Sequence, residues 1–139
     1  MRFLVIVPGS ADFEAGKLPS AELMKAMAKY NEELIKAGVM LAGEGLMPTK
    51  HGVRVKFDGS KRSVVDGPFS ESKELIGGFW IMQAKSREEI VEWIKRAPFD
   101  FGSVEIRPIA EPEHYAPNDP TGEIRENEKR LRNLTEGKA

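Results

Sequence analysis

The chain has no cysteine and little histidine, and these two scarcities exclude several kinds of site. Without a thiol, the 139-residue sequence can form no disulfide, iron–sulfur cluster or cysteine nucleophile. Its two histidines, His51 and His114, stand too far apart for a histidine-rich metal motif. We therefore expect neither a metal nor another cofactor. The length fits a single core that needs no cross-link.

The sequence also lacks a charge excess and a long apolar run at its start. Its 21 basic and 22 acidic residues leave a net charge of −1, which provides no global field to attract nucleic acid. The N-terminal apolar run at 3–7 is too short for a signal-peptide core or a membrane span. We therefore expect a cytoplasmic protein that binds neither nucleic acid nor membrane.

Two helices are predicted from apolar spacing and capping signals. The second begins at Ser86, where Ser86 and Glu89 have the spacing of a reciprocal capping box, and Pro98 closes it. The first covers residues 20–37 and ends before Gly38. Its apolar residues recur every three or four positions: Leu23, Met27, Tyr30 and Leu34.

Strands and an inserted hairpin fill the rest of the pattern, and residues 9–19 are predicted to form a polar loop. Alternation at 53–57, followed by a turn and a return at 63–65, predicts the hairpin. The resulting order is strand, helix, strand, hairpin, strand, helix, strand. It predicts an α+β fold of the ferredoxin-like, split βαβ type. The four sheet strands are predicted at 3–7, 39–46, 76–83 and 104–108.

The predicted sheet has one face without helices, because right-handed crossovers place both helices on the other face. The runs at 3–7 and 76–83 are apolar at nearly every position, so these strands should be buried on both faces. A bare apolar sheet face is a liability for a soluble protein. We therefore predict a homodimer in which two sheets pack face to face.

The composition changes near residue 112, which divides the chain into a domain at 1–112 and a charged tail at 113–139. The tail is rich in proline, asparagine and charged residues, and a short polar helix is predicted at 123–134. Too few apolar residues are present for a second core. We expect the tail to dock loosely or to fold over the partner of a dimer.

An ordered set of short motifs resembles the YCII-related (DGPF) family. The resemblance covers about residues 1–112 and implies a dimeric α/β barrel made of two ferredoxin-like sheets. The signature run is Asp66-Gly67-Pro68-Phe69, with Glu71, Lys73-Glu74 and Gly77-Gly78-Phe79 after it and Gly43-Glu44-Gly45-Leu46 before it. The remaining matches are Ala37-Gly38-Val39, Ser86-Arg87-Glu88-Glu89 and Val104-Glu105-Ile106-Arg107-Pro108.

The resemblance also implies two kinds of function. Some members are expected to perform acid–base chemistry with a histidine on the first helix, paired with an aspartate. That position falls near Met27 here, and helix 20–37 contains no histidine. Asp66 could replace the aspartate, but a lone carboxylate cannot run the same proton relay. DGPF members are often encoded beside extracytoplasmic-function sigma factors, which implies a link to sigma-factor regulation.

Several residues are candidates for a site in the cleft between the two sheets of the dimer. Glu105 and Arg107 share one strand face, so Arg107 is either a salt-bridge partner or an anchor for an anionic ligand. Glu44 is expected to pair with Arg107, and the turn after Asp66 should aim that carboxylate into the cleft. The predicted ligand-binding residues are Glu44, Asp66, Glu105 and Arg107. The candidates for catalysis are Asp66 and His114.

Two functions of different classes remain open. The first is a homodimer that binds a small molecule or a protein partner between its sheets, in sigma-factor-linked regulation. It is favoured because no motif for a nucleophile, a metal or a nucleotide is present. The second is a cofactor-independent small-molecule enzyme of the lyase, isomerase or dehalogenase type, acting through Asp66, Glu44 or Arg107.

Overall fold

The computed structural model describes residues 1–70 and 75–137. It divides into two compact units, Met1–Pro108 and Ile109–Ala139. Three residues of the family signature, Glu71, Lys73 and Glu74, lie outside the described residues. Within the described ranges, no helix is long and apolar enough to cross a membrane.

The first unit, in its described residues, contains six strands and three α-helices. The strands are β1 (Arg2–Pro8), β2 (Met40–Gly45), β3 (Val53–Asp58), β4 (Lys61–Asp66), β5 (Ile76–Gln83) and β6 (Glu105–Pro108). The helices are α1 (Ala11–Glu14), α2 (Ala21–Lys36) and α3 (Arg87–Ile94), and a short 3₁₀-helix spans Thr49–His51.

Four of the strands form one antiparallel sheet in the order β2-β5-β1-β6. Strands β1 and β5 therefore occupy the centre, and β2 and β6 are the edges. This is the order of the ferredoxin-like, split βαβ arrangement. The β3–β4 hairpin is a separate two-stranded sheet inserted between β2 and β5. The predicted fold class and its inserted hairpin are confirmed.

Helices α2 and α3 pack on one face of the sheet and bury the core there. The hydroxyl of Tyr30 in α2 donates a hydrogen bond to the carbonyl oxygen of Trp93 in α3 at 2.6 Å, so the two helices are also joined to each other. Burial raises the pKa of Tyr30 to about 12, although the Arg96 cation acts to lower it. The buried residues of this core are Phe3, Val5, Tyr30, Leu34, Val39, Trp80, Met82 and Ile90.

The other face of the sheet, which we call the open face, carries neither α2 nor α3. In the β1–β5 register, Leu4 lies opposite Ile81 and Ile6 lies opposite Phe79. All four side chains are only half-buried. A single chain therefore leaves this face without a helical cover, as the crossover argument predicts, and burial of the strands on both faces stays a prediction for the dimer.

Helix α2 begins and ends where its capping signals predict. The Ser20 hydroxyl accepts a hydrogen bond from the backbone N–H of Leu23 at 3.1 Å. Just beyond the helix, Gly38 adopts φ +71, a left-handed conformation that favours glycine and ends helices. The cap residues therefore set both ends of the helix in the predicted way.

Two local predictions differ from the structure. The Ser86 hydroxyl accepts from the Glu89 N–H at 3.2 Å as expected, but the Glu89 carboxylate accepts from the N–H of Lys85 at 3.1 Å. Only the Ser86 half of the predicted capping box therefore forms, and Glu89 bonds the residue before the cap. The predicted polar loop at 9–19 contains the single-turn helix α1, whose cap is Ser10.

The second unit contains a 3₁₀-helix, Pro112–Asn118, and helix α4, Glu123–Thr135, where a short polar helix is predicted. Its structure depends on Asp119, which is only 2% exposed. The Asp119 carboxylate accepts from the backbone N–H groups of Ile124 at 3.1 Å and Arg125 at 2.9 Å, and from Arg125 Nε at 3.0 Å. This carboxylate therefore holds the first turn of α4.

The pKa of Asp119 results from opposing effects. Burial acts to raise it, but the Arg125 and Ile124 N–H groups and the Arg125 guanidinium outweigh burial, and the pKa lies below its usual 3.8. A carboxyl group with a lowered pKa in the folded state stabilises that state above its unfolded pKa. The contribution is lost as the pH falls through the folded value.

Asp119→Asn is expected to speed amide hydrogen exchange at Ile124 and Arg125 at neutral pH, because the neutral amide holds the first turn of α4 less strongly. The difference from the wild type should shrink once the pH falls below the usual carboxyl pKa of 3.8. Asp58→Asn, at an exposed position of the hairpin, is the control. Equal exchange in wild type and Asp119→Asn at neutral pH would contradict this role.

Candidate functional site

A cavity of about 460 Å³ lies between α2 and the glycine-bearing ends of β2 and β5. We call it the helix–sheet cavity. Its volume falls within the range of small-molecule binding pockets. Its lining side chains from the helix and the loops are Pro19, Leu23, Met24, Met27, Ala28, Asn31 and Phe99. The strands contribute Val7, Gly43, Glu44, Gly45, Gly77, Gly78, Phe79 and Trp80.

The glycines on the strand side of this cavity differ in the space around them. A Cβ on Gly43 would lie 2.7 Å from both Met40 Cε and Trp80 Cδ1, so this position has no room for a side chain. A Cβ on Gly45 would meet nothing within 4 Å. Gly45 therefore leaves unused space where a larger residue would fill the cavity.

The polar group of the cavity wall is the side-chain amide of Asn31. The indole Nε1–H of Trp80 donates to Asn31 Oδ1 at 3.0 Å. Because an indole nitrogen can only donate, this bond requires the oxygen of Asn31 to face Trp80. The Nδ2 group, with two donors, then has no hydrogen-bond partner among the described residues. It is available to a ligand that carries an acceptor.

The remaining lining is mostly apolar and nearly uncharged. Methionine, leucine and aromatic side chains dominate it. Glu44 borders the cavity through its strand, but it lies opposite Phe79, so its carboxylate is on the open face of the sheet. Trp80 is 4% exposed and meets the ring of Tyr30 edge-on, with centroids 5.9 Å apart. An apolar wall with one neutral donor suits an uncharged ligand, since a charged one would lose its hydration without compensation.

Sequence reasoning did not select Asn31, Met27 or Phe99 as site residues. A signal for Asn31 was present, because Leu23, Met27 and Asn31 are spaced by four and lie on one helix stripe. A polar residue on a core-facing stripe needs a partner. That partner, Trp80, is 49 residues away in the sequence, so only the folded chain identifies it.

The predicted pairing of Glu44 with Arg107 is wrong within one chain. Glu44 lies on edge strand β2 and Arg107 on the opposite edge strand β6, about 14 Å apart at the usual strand spacing. Arg107 Nε instead lies 3.6 Å from the carboxylate of Glu105. Both members of that pair are mostly exposed, so the ion pair contributes little to stability.

His114, one of the two candidates for catalysis, lies in the second unit and has a local structural role. Its Nδ1 accepts a hydrogen bond from the backbone N–H of Glu111 at 2.9 Å, at the start of the 3₁₀-helix. An acid–base function of His114 stays a prediction.

Comparison with known proteins identifies the family. The model of the YCII-related domain matches residues 1–113, which is most of the chain. The chain belongs to the YCII-related family. The YCII-related domain is 28% identical over 91 residues to an uncharacterized protein of Rhizobium meliloti (strain 1021), a match that covers 63% of this chain and 73% of the relative.

Among solved structures, the chain is similar to one at a TM-score of 0.46 and 19% sequence identity. That structure is 5-chloro-2-hydroxyhydroquinone dehydrochlorinase (TftG) from Burkholderia phenoliruptrix AC1100, in complex with 2,5-dihydroxybenzoquinone. The match covers 82% of this chain and 98% of that chain.

The signature turn of the YCII-related domain is held by the loop that follows β2. The Thr49 hydroxyl donates to the Glu14 carboxylate and accepts from the N–H of Phe69 at 3.0 Å. A Cβ on Gly67 would overlap the Thr49 carbonyl oxygen. Gly67 is thus required by a close approach of two backbones, which supports a structural role for the signature.

Asp66, the first residue of the signature, is the last residue of β4 in the separate hairpin and is exposed. It pairs in register with Val53. The structure therefore places Asp66 outside the four-stranded sheet that carries Glu44 and Arg107. Its predicted role as a ligand-binding residue stays a prediction.

Proposed function

We propose that this YCII-related protein is a homodimer that binds a small, mostly apolar molecule in the helix–sheet cavity. The observation that carries the proposal is an open, apolar cavity whose wall includes the unpartnered Nδ2 donors of Asn31. A few polar groups in an otherwise apolar pocket are what fixes the orientation of a small ligand. The ligand class is therefore a neutral, ring-containing compound with one hydrogen-bond acceptor.

The homodimer is supported by the composition of the open face. Its centre is apolar and its two edges are charged, which is the usual arrangement of a protein–protein interface. A second copy, packed sheet against sheet, would bury the apolar centre. The centre consists of Leu4, Ile6, Phe79 and Ile81, and the edges carry Glu44 on one side and Glu105 and Arg107 on the other.

Such a dimer also offers a place for the residues predicted to form an inter-sheet site. If the β2 edge of one copy lies over the β6 edge of the second copy, Glu44 of one meets Arg107 of the other. The predicted pairing of Glu44 with Arg107 would then form between two chains and not within one. Convergence of Glu44, Asp66 and Arg107 stays a prediction for the dimer, and so does the implied link to sigma factors.

A cofactor-independent enzyme is the alternative function, and Glu44 is the residue that favours it. Glu44 borders the helix–sheet cavity through its strand, and its exposed carboxylate lies on the open face, opposite Phe79. There it can exchange a proton only with a ligand held between two sheets, and no histidine or other carboxylate lines the described wall of the helix–sheet cavity. Binding is therefore the function that the geometry supports best.

Filling the cavity tests the binding function. Trp80 and Trp93 are the two tryptophans of the chain, so Trp93→Phe leaves Trp80 as the sole tryptophan, which can be excited selectively. The Tyr30 hydroxyl keeps its acceptor, which is a backbone carbonyl. In this background, 2-acetylnaphthalene is expected to quench Trp80, and Gly45→Leu to weaken binding more than about tenfold. Gly45→Ala, which adds one methyl group into open space, is the graded control.

The role of Asn31 is tested by a matched pair of probes. Asn31→Asp keeps an oxygen for the Trp80 N–H but removes the Nδ2 donors. The variant is expected to lower the affinity for 2-acetylnaphthalene about threefold to tenfold more than it lowers the affinity for 2-ethylnaphthalene, which has no acceptor. Asn133→Asp on α4 controls for the added charge. If neither probe quenches Trp80, or if Gly45→Leu binds as the parent does, the binding function at this cavity is refuted.

A further inference from the structure

A second cavity of about 560 Å³ lies at the end of the sheet, next to the helix–sheet cavity. We call it the end cavity. It is lined by the turn that follows β1 and by the segment that connects α3 to β6. Unlike the helix–sheet cavity, it has hydroxyl and charged groups in its wall, among them Ser10, Lys95 and Ser103.

Two residues, Val7 and Phe99, line both cavities and therefore form the wall between them. Val7 belongs to the central strand β1, whose backbone is hydrogen-bonded to strands on both sides. Phe99 belongs to the irregular segment between α3 and β6 and is 37% exposed. Its ring is tilted by 51° against Trp80, with centroids 6.3 Å apart. Phe99 is thus the part of the wall that a side-chain rotation can move.

We infer that Phe99 sets the length of ligand that the helix–sheet cavity accepts, and that the end cavity takes the polar end of an elongated ligand. This inference rests on the proposed binding function. With Phe99 against Trp80, a single ring system fills the helix–sheet cavity. When the Phe99 ring turns away or is removed, the two cavities become continuous. A chain attached to the bound ring can then reach the hydroxyl groups of Ser10 and Ser103.

The chemistry of the two walls defines the ligand class further. The ring and its acceptor belong beside Trp80 and Asn31, where apolar contacts and one amide donor are available. The other end should carry a hydroxyl or a similar hydrogen-bonding group, because the Ser10 and Ser103 hydroxyls in the wall of the end cavity can bond such a group but not an apolar one. The expected ligand is an elongated amphiphile with an aromatic head.

Two naphthyl ketones of different length test this inference by Trp80 quenching in the Trp93→Phe background. The short probe is 2-acetylnaphthalene, and the long probe is the 8-hydroxyoctanoyl ketone of the same ring. Phe99→Ala is expected to increase the affinity for the long probe relative to the short one by about tenfold or more. Phe99→Leu, which keeps more of the wall, is expected to give a smaller shift in the same direction.

Phe57→Ala, at a 72% exposed position of the hairpin, is the matched control and should leave the ratio of the two affinities unchanged. If both probes bind and Phe99→Ala and Phe99→Leu leave that ratio as it is in the parent, the inference about Phe99 is overturned while the binding function stands. If neither probe binds the parent or any variant, both fall. The inference is supported if the affinity for the long probe, relative to the short one, rises from the parent to Phe99→Leu and again to Phe99→Ala.

Discussion

Replacing Gly67 by Ala is expected to destabilise the first unit by about 3 kcal/mol. The added Cβ would overlap the carbonyl oxygen of Thr49 and lie 2.7 Å from its carbonyl carbon. Thr49 cannot easily move away, because its N–H and hydroxyl are bound to Glu14 and its hydroxyl oxygen accepts from Phe69. Relief of the overlap therefore requires these hydrogen bonds to break.

The change is measured as the shift in the urea midpoint of unfolding, followed by tryptophan fluorescence. Gly45→Ala is the matched control, because its Cβ meets nothing within 4 Å. A strand glycine exchanged for alanine without a clash should gain up to about 1 kcal/mol from the lower backbone entropy of the unfolded chain. Equal midpoints for the two variants would show that the signature turn can relax and that Gly67 is not required by packing.

Ile81→Lys is expected to convert the proposed dimer into a monomer. Ile81 lies at the centre of the open face, opposite Leu4 of β1. In a face-to-face dimer the lysine would bury an unpaired charge between two sheets. That costs about 3 kcal/mol or more, which weakens association more than a hundredfold.

Light scattering at micromolar protein concentration measures this change as a halving of the particle mass. Ile35→Lys is the matched control, since Ile35 is 60% exposed on α2 and lies away from the open face. It should leave the mass unchanged. A monomeric wild type would refute the homodimer itself. A dimeric Ile81→Lys would move the interface away from the open face.

Most of the fold could be predicted from the sequence because its signals are local. The spacing of apolar residues in α2, its Ser20 cap and the left-handed Gly38 are all contained within a span of 19 residues. The alternation in β3 and β4 likewise requires only a hairpin turn. Because crossovers are right-handed, such elements are expected to place both helices on the same face of one sheet. The predicted topology therefore agreed with the observed strand order.

The candidate site was less predictable, because its geometry depends on which strands become edges. Glu44 and Arg107 carry opposite charges, and their pairing was inferred from strand faces alone. Strand faces say nothing about distance across a sheet, and two central strands separate these residues. The same limit applies to Asp66, whose hairpin forms no part of the four-stranded sheet.

The sequence by itself determined the α+β class, the strands, the two helices that pack on the sheet, the inserted hairpin and the family, since each depends on periodicity or on short motifs. Only the tertiary structure decided that Asn31 meets Trp80, that Gly67 packs against Thr49 and that Phe99 divides two cavities. These contacts join residues far apart in the chain. Their physical basis is close packing, in which a side chain gains its role from the atoms that surround it and not from its neighbours in sequence.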